Sequence, residues 1–375
     1  MNHDSAHLTR ATIHLDRLTH NLRLLQAEAG SSTVWPVIKA NAYGHGAVTV
    51  ARHLTTLGCR TFCVAHADEA RALRSAGIDA TLLVLSAALP EQAEALMAAD
   101  TQPAVCTLET AAALSGAGAA AGRTISIHLK VDTGMGRTGV RPEDVEPFLA
   151  ACRALPNLRV RGLMSHFPRA DEADKSYSLA QLERFRQAAE RARGLGVEVI
   201  HMANSAGLLD LPESRFDAVR PGIALYGLPP SAEMASPRVK ELQPVLEWTS
   251  RISFLKEVPA GTGLSYGHTF HTGRPSLIAT IPAGYGDGLS RRLSNNLQVL
   301  VGGVRCPLVG RVTMDMSLID VTALRGCVAL GDEVVLIGRQ GDTAVTADEM
   351  AERIGTINYE VVTCLGTRVP RVVVP

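Results

Sequence analysis

Between residue 11 and about residue 229, short apolar runs rich in β-branched residues alternate with longer stretches rich in Ala, Glu and Arg. This alternation predicts βαβ units, in which parallel strands form one sheet and the intervening helices cover it. The strand candidates are residues 34–39, 61–65, 81–85, 102–106, 126–131, 160–165, 198–203 and 218–219. Eight successive βα units predict the α/β fold of a TIM barrel.

The alternation ends near residue 229 in a proline-rich linker that runs to residue 237. The later runs are short, β-branched and punctuated by Gly and Pro, at residues 245–258, 277–281, 297–301, 304–309, 316–321 and 333–337. Such runs are typical of a mainly-β domain. We therefore predict a barrel domain over residues 1–236 and a β-rich domain over residues 237–375, with residues near 11–16 as a candidate strand of the second domain.

Charge and cysteine content limit the partners of the chain. Lys and Arg together number 37, as do Asp and Glu, so no broad electrostatic field favours nucleic acid or an anionic membrane. We expect small-molecule partners, no nucleic acid and no membrane span. The seven cysteines are scattered and odd in number, which predicts a reducing, cytoplasmic location without a disulfide framework. The N-terminus has no basic stretch followed by an apolar run, so no export signal is expected.

The first barrel strand candidate ends in a lysine, within Val34-Trp-Pro-Val-Ile-Lys-Ala-Asn-Ala-Tyr-Gly-His-Gly46. An amine at the end of an apolar strand is partly desolvated, which lowers its pKa and makes it a nucleophile toward a carbonyl. Lys39 is therefore a candidate for Schiff-base chemistry, although an arbitrary lysine at a strand end is more often a surface residue.

Other strand candidates also end in polar residues and glycines, at Lys130, His166, Asn204-Ser205 and Arg220-Pro-Gly-Ile223. In a TIM barrel the carboxyl ends of the strands form one face, so these residues are expected to converge there. A hydroxyl and backbone N–H groups after the last two strands predict a phosphate site. Three alternatives remain open: a structural role for His166, a helix cap at Asn204-Ser205, and an ordinary tight turn at Gly222-Ile223.

Two short motifs match patterns of other protein classes, but neither lies in the structural context that its pattern requires. Gly134-Met-Gly-Arg-Thr-Gly139 matches a dinucleotide-binding pattern, yet Pro142 delays the following helix and the next strand ends without an acidic residue. Gly263-Leu-Ser-Tyr-Gly267 matches a hydrolase nucleophile motif but lies in the β-rich part of the chain. The pair His268-x-x-His271 lacks nearby Cys or carboxylate ligands, so no catalytic metal is predicted.

The lysine segment resembles the pyridoxal-phosphate motif of alanine racemases, and motifs along nearly the whole chain are similar to that family in order. They are His128-Leu-Lys-Val-Asp-Thr-Gly-Met-Gly-Arg137, Leu163-Met-Ser-His-Phe167, Ala203-Asn-Ser205, Val219-Arg-Pro-Gly-Ile223, Ser265-Tyr-Gly267, Pro282-Ala-Gly-Tyr-Gly-Asp287, Gly310-Arg-Val-Thr-Met-Asp315 and Ile357-Asn-Tyr-Glu360. The resemblance implies a fold-type III barrel followed by a β domain, pyridoxal 5′-phosphate as cofactor, and a head-to-tail homodimer with shared active sites.

The resemblance also implies a role for each matched residue. Lys39 would carry the cofactor as a Schiff base and act as the base toward D-alanine, with the partner subunit's Tyr266 as the base toward L-alanine. Arg220 would face the pyridine nitrogen and keep it unprotonated, with support from His166. The other implied cofactor residues are Tyr43, Asn204, Ser205, Gly222, Ile223 and Tyr359. The implied substrate residues are Arg137, Tyr285, Met314 and Asp315, and Lys130 matches a lysine that is carbamylated in many members.

Racemisation of alanine, which supplies D-alanine for peptidoglycan, is the implied activity. Thr313 stands where many members carry cysteine, and Pro168 stands where alanine is common. A broader racemase acting on serine, lysine or arginine is therefore an alternative. A fold-type III decarboxylase and a non-catalytic pyridoxal-phosphate-binding protein are further alternatives, and the β domain with Tyr266 argues against both.

Overall fold

The computed structural model describes residues 7–375, which form two compact units. One unit is Arg17–Gln243, and the other is Pro244–Pro375 together with residues 7–16. The sequence predicts a boundary between residues 236 and 237, whereas the first unit continues through Gln243. The reason is a pair of hydrogen bonds: Asn21 Nδ2 donates to Gln243 O over 2.8 Å, and Gln243 N donates to Asn21 Oδ1 over 2.9 Å.

The first unit is built on a parallel sheet. After strand β1 (Arg10–His14) the chain forms β2 (Thr33–Val34), β3 (Thr61–Val64), β4 (Thr81–Val84), β5 (Thr101–Val105), β6 (Ile125–Lys130), β7 (Leu158–Met164), β8 (Val199–His201) and β9 (Ala218–Val219). Strands β2 to β9 pair in the order β2-β9-β8-β7-β6-β5-β4-β3. A parallel bridge between Val37 and Cys63 joins the two edges of the sheet, with Ile38 N donating to Cys63 O over 2.8 Å. The predicted TIM-like barrel is confirmed.

Helices alternate with these strands and cover the sheet. They are Leu15–Ala29, Ala47–Thr56, Ala67–Ser75, Ala93–Ala98, Leu108–Ala120, Val145–Arg153, Ser176–Gly194 and Ser205–Asp210. Local sequence signals set several of their ends: Thr107 caps the helix Leu108–Ala120 by accepting from Thr110 N, and Gly77 follows the helix Ala67–Ser75 with a φ of 77°. Strand residues such as Phe62, Leu82 and Ile127 are fully buried, as expected for a parallel sheet covered on both faces.

The second unit is mainly β, as predicted. Its strands are β10 (Leu246–Arg251), β11 (Phe254–Val258), β12 (Gly263–Leu264), β13 (Phe270–His271), β14 (Ser276–Ile281), β15 (Gln298–Val301), β16 (Val304–Val309), β17 (Ser317–Asp320), β18 (Glu333–Gln340), β19 (Thr343–Val345) and β20 (Arg371–Val374). The large sheet has the order β11-β14-β17-β16-β15-β18-β10-β1-β20, with β19 paired to β18, and β12 and β13 form a separate hairpin. Strand β1 pairs antiparallel with β10 and parallel with β20, so the start of the chain completes this sheet.

Two helices of the second unit, Ala347–Ile354 and Asn358–Thr363, lie between its last strands. Short 3-10 helices connect elements in both units, at Pro90–Gln92, Pro142–Asp144, Pro212–Ser214, Ile223–Tyr226, Pro237–Glu241, Tyr266–His268, Arg291–Leu293 and Thr322–Leu324. Among residues 7–375, no helix has both the length and the apolar composition needed to cross a membrane.

Candidate active site

Several of the predicted site residues gather beyond the carboxyl ends of the barrel strands. Lys130 ends β6 and Arg137 lies in the loop after it, while His166 and Arg220 follow β7 and β9. Burial is the largest cause of the lowered pKa of Lys39, of Lys130 and of His166, and the charges of Arg137 and Arg220 lower each pKa further. The structure therefore brings these groups into one cationic cluster at the carboxyl-end face of the barrel.

The backbone after the first strand forms a left-handed turn. The sequence predicts a strand through Lys39, but β2 ends at Val34 and Lys39 opens the turn, so this prediction is wrong at the lysine. The φ angles are positive at four consecutive residues: Ala40 (51°), Asn41 (53°), Ala42 (55°) and Tyr43 (52°). A left-handed conformation costs an L-residue roughly 1–2 kcal/mol, so contacts elsewhere must stabilise the turn.

Hydrogen bonds from outside the turn supply that stabilisation. Glu69, in the first turn of the helix Ala67–Ser75, accepts from Ala40 N over 2.6 Å through Oε1 and from Ala65 N over 2.6 Å through Oε2. Asn41 Oδ1 accepts from Ala47 N over 2.9 Å, at the start of the next helix. The negative charge of Glu69 also raises the pKa of Lys39, against the larger lowering by burial. Glu69 thus links the position of the turn to the charge of the amine.

A buried arginine lies at the centre of the cluster. Arg220 Nη1 is 2.5 Å from His201 Nδ1, and Arg220 Nη2 donates to Ser165 O over 2.7 Å and to Met202 O over 3.1 Å. Burial lowers the pKa of Arg220 to about 10, so the guanidinium is charged at neutral pH. The resemblance gives His166 as the support of Arg220, but the histidine that is hydrogen-bonded to the guanidinium is His201.

A narrow cradle lies between the loops after β8 and β9. Ser205 Oγ accepts from Gly222 N over 2.9 Å and from Ala224 N over 3.3 Å. A Cβ added to Gly222 would overlap the Tyr43 hydroxyl, so only glycine lets this backbone approach the phenol so closely. Burial raises the pKa of Tyr43, which keeps the phenol protonated and able to donate. Because the Gly222 and Ala224 N–H groups donate to Ser205 Oγ, the Ser205 hydroxyl keeps its own proton to donate, and this hydroxyl and the Tyr43 phenol are donors that fit a phosphate group.

Asn204 and Ile223 shape this cradle. Asn204 is the N-cap of the helix Ser205–Asp210, because its Oδ1 accepts from Gly207 N over 2.9 Å. Helix capping is one of the roles that the sequence leaves open for Asn204, and its side-chain oxygen has that role in the structure. Ile223 begins the 3-10 helix Ile223–Tyr226 directly after Gly222.

The loops around Tyr285 and Met314 are joined in the second unit. Tyr285 N donates to Thr313 O over 3.0 Å, and Gly286 N donates to Met314 O over 2.9 Å. A Cβ on Gly284 would overlap Thr313 O, so this close approach also depends on a glycine. The side chains of Tyr285 and Met314 are 44% and 51% exposed, respectively. Two predicted substrate residues are therefore held side by side by their backbones while their side chains stay accessible.

The remaining predicted residues of the second unit are Asp315, Tyr266 and Tyr359. Arg368 pairs with two carboxylates: Nη1 donates to Asp315 Oδ1 over 2.8 Å, and Nε donates to Asp287 Oδ1 over 3.1 Å. Tyr266 starts the 3-10 helix Tyr266–His268 and is 71% exposed. Tyr359 is half-buried in the helix Asn358–Thr363. The sequence did not indicate Arg368, because a lone arginine near the chain end carries no motif.

In the glycine-rich loop after β6, the Asp132 carboxylate accepts hydrogen bonds from the backbone of the same loop. Asp132 Oδ1 accepts from Gly134 N, Met135 N and Gly136 N over 2.9, 2.8 and 3.1 Å. These N–H groups are engaged within the loop, so the motif does not offer them to a dinucleotide. In the part of the chain that the structure describes, no three His, Cys, Asp or Glu side chains form a group suited to a metal ion.

Both halves of the chain match models of known protein families. Residues 13–230 match the family model described as alanine racemase, N-terminal domain. Residues 245–373 match the model described as alanine racemase, C-terminal domain. Together the two models span most of the chain, in the order in which the structure has a barrel and a mainly-β unit.

Individual relatives are similar over almost their full length. The alanine racemase of Halothermothrix orenii is 45% identical over 366 residues, which cover 97% of this chain and 96% of that protein. The solved alanine racemase of Clostridium difficile 630 has a TM-score of 0.93 at 35% identity, covering 98% of this chain and 96% of that one. The Bartonella henselae structure, an alanine racemase with covalently bound pyridoxal phosphate, has a TM-score of 0.87 at 29% identity, covering 98% and 99%.

The link between Glu69 and Lys39 is testable by titration. Glu69→Gln removes a negative charge that raises the pKa of Lys39, so we expect the pKa of Lys39 to fall further below its ordinary value. The measurement is a ¹³C NMR titration of the reductively methylated protein freed of cofactor. Asp68→Asn is the matched control, because Asp68 is adjacent but pairs with Arg71 over 2.8 Å. Equal shifts in both variants, or none in Glu69→Gln, would contradict the assignment.

Proposed function

This chain belongs to the alanine racemase family, and we propose that it interconverts L-alanine and D-alanine with pyridoxal 5′-phosphate as cofactor. The observation that carries the proposal is the position of Lys39: its amine has a lowered pKa and lies in one cationic cluster with Arg220, on the barrel face that also carries the Gly222 cradle. Supply of D-alanine for peptidoglycan and a cytoplasmic location stay predictions from the sequence.

The barrel unit offers a partner for each end of the cofactor. Lys39 would bind the cofactor carbonyl, since burial and the neighbouring cations favour its neutral, nucleophilic amine. Ser205, Gly222 and Tyr43 would bind the phosphate at the cradle, with Ile223 opening the adjacent 3-10 helix. When bound, pyridoxal phosphate supplies an electron sink for the pair of electrons left after the α-proton is removed.

Arg220 would lie against the pyridine nitrogen. Its guanidinium has no acceptor and stays protonated at neutral pH, so it would donate a hydrogen bond without transferring a proton. The carbonyls of Ser165 and Met202 hold Nη2, and this fixes the direction in which the remaining N–H groups point. A fixed donor that does not release its proton would limit charge delocalisation into the ring and so restrain transamination.

Inversion at the α-carbon requires one proton-transfer group on each face. Lys39 would remove or return the proton on the face used by D-alanine, and the partner subunit's Tyr266 would do so on the face used by L-alanine. Whichever group abstracts the proton, the other can return one to the opposite face. The lowered pKa of Lys39 supports its part, because a neutral amine can accept a proton.

The substrate carboxylate needs a cation and a fixed donor. Arg137 of the cationic cluster would pair with it, with Met314 and Asp315 of the partner subunit completing the site beside Tyr285 and Tyr359. Burial, followed by Arg137 and Arg220, lowers the pKa of Lys130 to about 8. A share of Lys130 is therefore neutral near pH 7 to 8 and able to react with carbon dioxide, which supports a carbamate there that would orient Arg137.

A homodimer with shared sites is the assembly that we propose. Lys39 belongs to the barrel unit, whereas Tyr266 and Met314 belong to the mainly-β unit. Tyr266 is 71% exposed and Met314 51% exposed, so both side chains are accessible to a second copy of the chain. Their exposure supports a surface that a second copy of the chain covers.

Racemisation is tested by incubating the holoenzyme with L-alanine. Optical rotation should decay to zero, and D-alanine should give the mirror-image decay. A panel of serine, lysine and arginine then distinguishes an alanine racemase from a broader one. Carbon dioxide release without racemisation would instead indicate a decarboxylase, and no reaction with any amino acid would indicate a binding protein.

Lys39 should be the residue that carries the cofactor. Reduction of the holoenzyme with borohydride fixes the cofactor to the amine that holds it, and peptide mapping should find the pyridoxyl group on Lys39. Lys130 is the built-in comparison, because it is a buried lysine of the same cluster and its pKa is also lowered. A label on Lys130 would show that the assignment is wrong.

Two inactive variants should restore activity together if each site combines two chains. Lys39→Ala and Tyr266→Phe are each expected to lose racemisation, while Tyr266→Phe keeps the absorption of bound cofactor. After subunit exchange, each heterodimer has one site with both residues intact, so a fraction of the wild-type rate should return. Exchange confirmed by native mass spectrometry without recovered activity would mean that Tyr266 acts on its own chain.

A further inference from the structure

A line of buried hydrogen bonds extends from Arg220 into the barrel. His201, bonded to Arg220 through Nδ1, places its Nε2 at 2.8 Å from His128 Nδ1. His128 Nε2 is 3.1 Å from Gln102 Oε1, and Arg161 Nη1 donates to the same oxygen over 3.1 Å. The line therefore begins at Arg220, after β9, and continues through His201 of β8 and His128 of β6 to Gln102 of β5 and Arg161 of β7.

A break in strand register builds this line. Ile127 pairs with Val160 and His128 pairs with Gly162, so Arg161 is the extra residue of a β-bulge on β7. A Cβ on Gly162 would overlap the His128 ring, so glycine makes room for the imidazole. The bulge and the glycine together let an arginine and a histidine from adjacent strands turn toward the same amide.

Arginines at both ends fix the direction of every hydrogen bond. Because arginine only donates, His201 Nδ1 must accept from Arg220, and the proton of His201 is on Nε2. That proton is donated to His128 Nδ1, so His128 is also protonated on Nε2 and donates to Gln102. Arg161 excludes the flipped amide of Gln102, since a flip would place the amide NH₂ against the guanidinium.

The surroundings keep both histidines neutral. Both rings are fully buried, and burial is the largest cause of the lowered pKa of each, to about 3 for His128. Trp35 packs its ring edge-on against both, with centroid distances of 4.9 Å to His201 and 5.9 Å to His128. Each ring is thus neutral and closely packed, so its hydrogen-bond partners determine which of its two nitrogens carries the proton.

We propose that Arg161 and Gln102 are positioning residues, which set the tautomers of His128 and His201 and thereby keep His201 Nδ1 as an acceptor for Arg220. The inference rests on the proposed function only in its last step, in which Arg220 faces the cofactor. Without the acceptor at Gln102, His128 can carry its proton on Nδ1. That N–H would then face the Nε2–H of His201, so two donors would meet and no hydrogen bond would form between the rings. Arg220 then loses one of its three partners.

The first test uses the unaltered holoenzyme. With ¹⁵N-labelled histidine, NMR should show His128 and His201 protonated on Nε2 and unprotonated on Nδ1. Either ring protonated on Nδ1, or on both nitrogens, would overturn the proposal whether or not the protein racemises alanine. If the tautomers are as expected but the protein does not racemise alanine, the proposed function is contradicted and the tautomer assignment stands.

The second test compares variants. Gln102→Leu should give mixed tautomers for His128 and lower kcat about tenfold, with KM changed by no more than about twofold. Gln102→Glu keeps an acceptor and should restore the Nε2–H tautomer. Arg159→Gln is the matched control, because Arg159 lies on the same strand but pairs with the exposed Glu198. Parental tautomers and kcat in Gln102→Leu, or equal losses in the control, would overturn the proposal. If Gln102→Leu does not fold, the tautomers of the unaltered protein decide.

Discussion

The parallel contact between Val37 and Cys63 is the constraint on which the carboxyl-end face of the barrel depends. In the order of the sheet, β2 and β3 stand at opposite edges, and an open sheet would separate the turn after β2 from the helix after β3. The contact closes the sheet through Ile38 N to Cys63 O, and Tyr226 Oη donates to Val37 O over 2.9 Å. Closure brings the turn after Lys39 within reach of Glu69, which belongs to that helix.

Closure also concentrates positive charge in a place that water reaches poorly. A buried guanidinium is costly unless its N–H groups have acceptors, and Arg220 meets that demand with two main-chain carbonyls and one imidazole. The same enclosure lowers the pKa of Lys39 and Lys130. The lowered pKa of the two lysines and the satisfied hydrogen bonds of the arginine are therefore two results of one packing arrangement.

The sequence predicted the features that depend on apolar periodicity and on the common direction of parallel strands. Both the barrel and the convergence of Lys130, His166 and Arg220 arise from these. It could not predict the left-handed turn at Lys39, because the preceding apolar run has the composition of a strand and the turn depends on Glu69 from the next helix. His201 was missed as a partner of Arg220, since a buried histidine in an apolar strand looks like any packed residue. The helix Ala347–Ile354 was missed because the surrounding strands dominate that region.

Strand β1 has a consequence for how the chain is made. It is synthesised before the barrel strands, whereas both of its neighbours, β10 and β20, are synthesised after them. The barrel strands pair among themselves and can fold while synthesis continues, but β1 stays an unpaired edge until β10 and β20 have been made. Completion of the large sheet of the second unit therefore depends on synthesis of β20, which follows its other strands in the sequence.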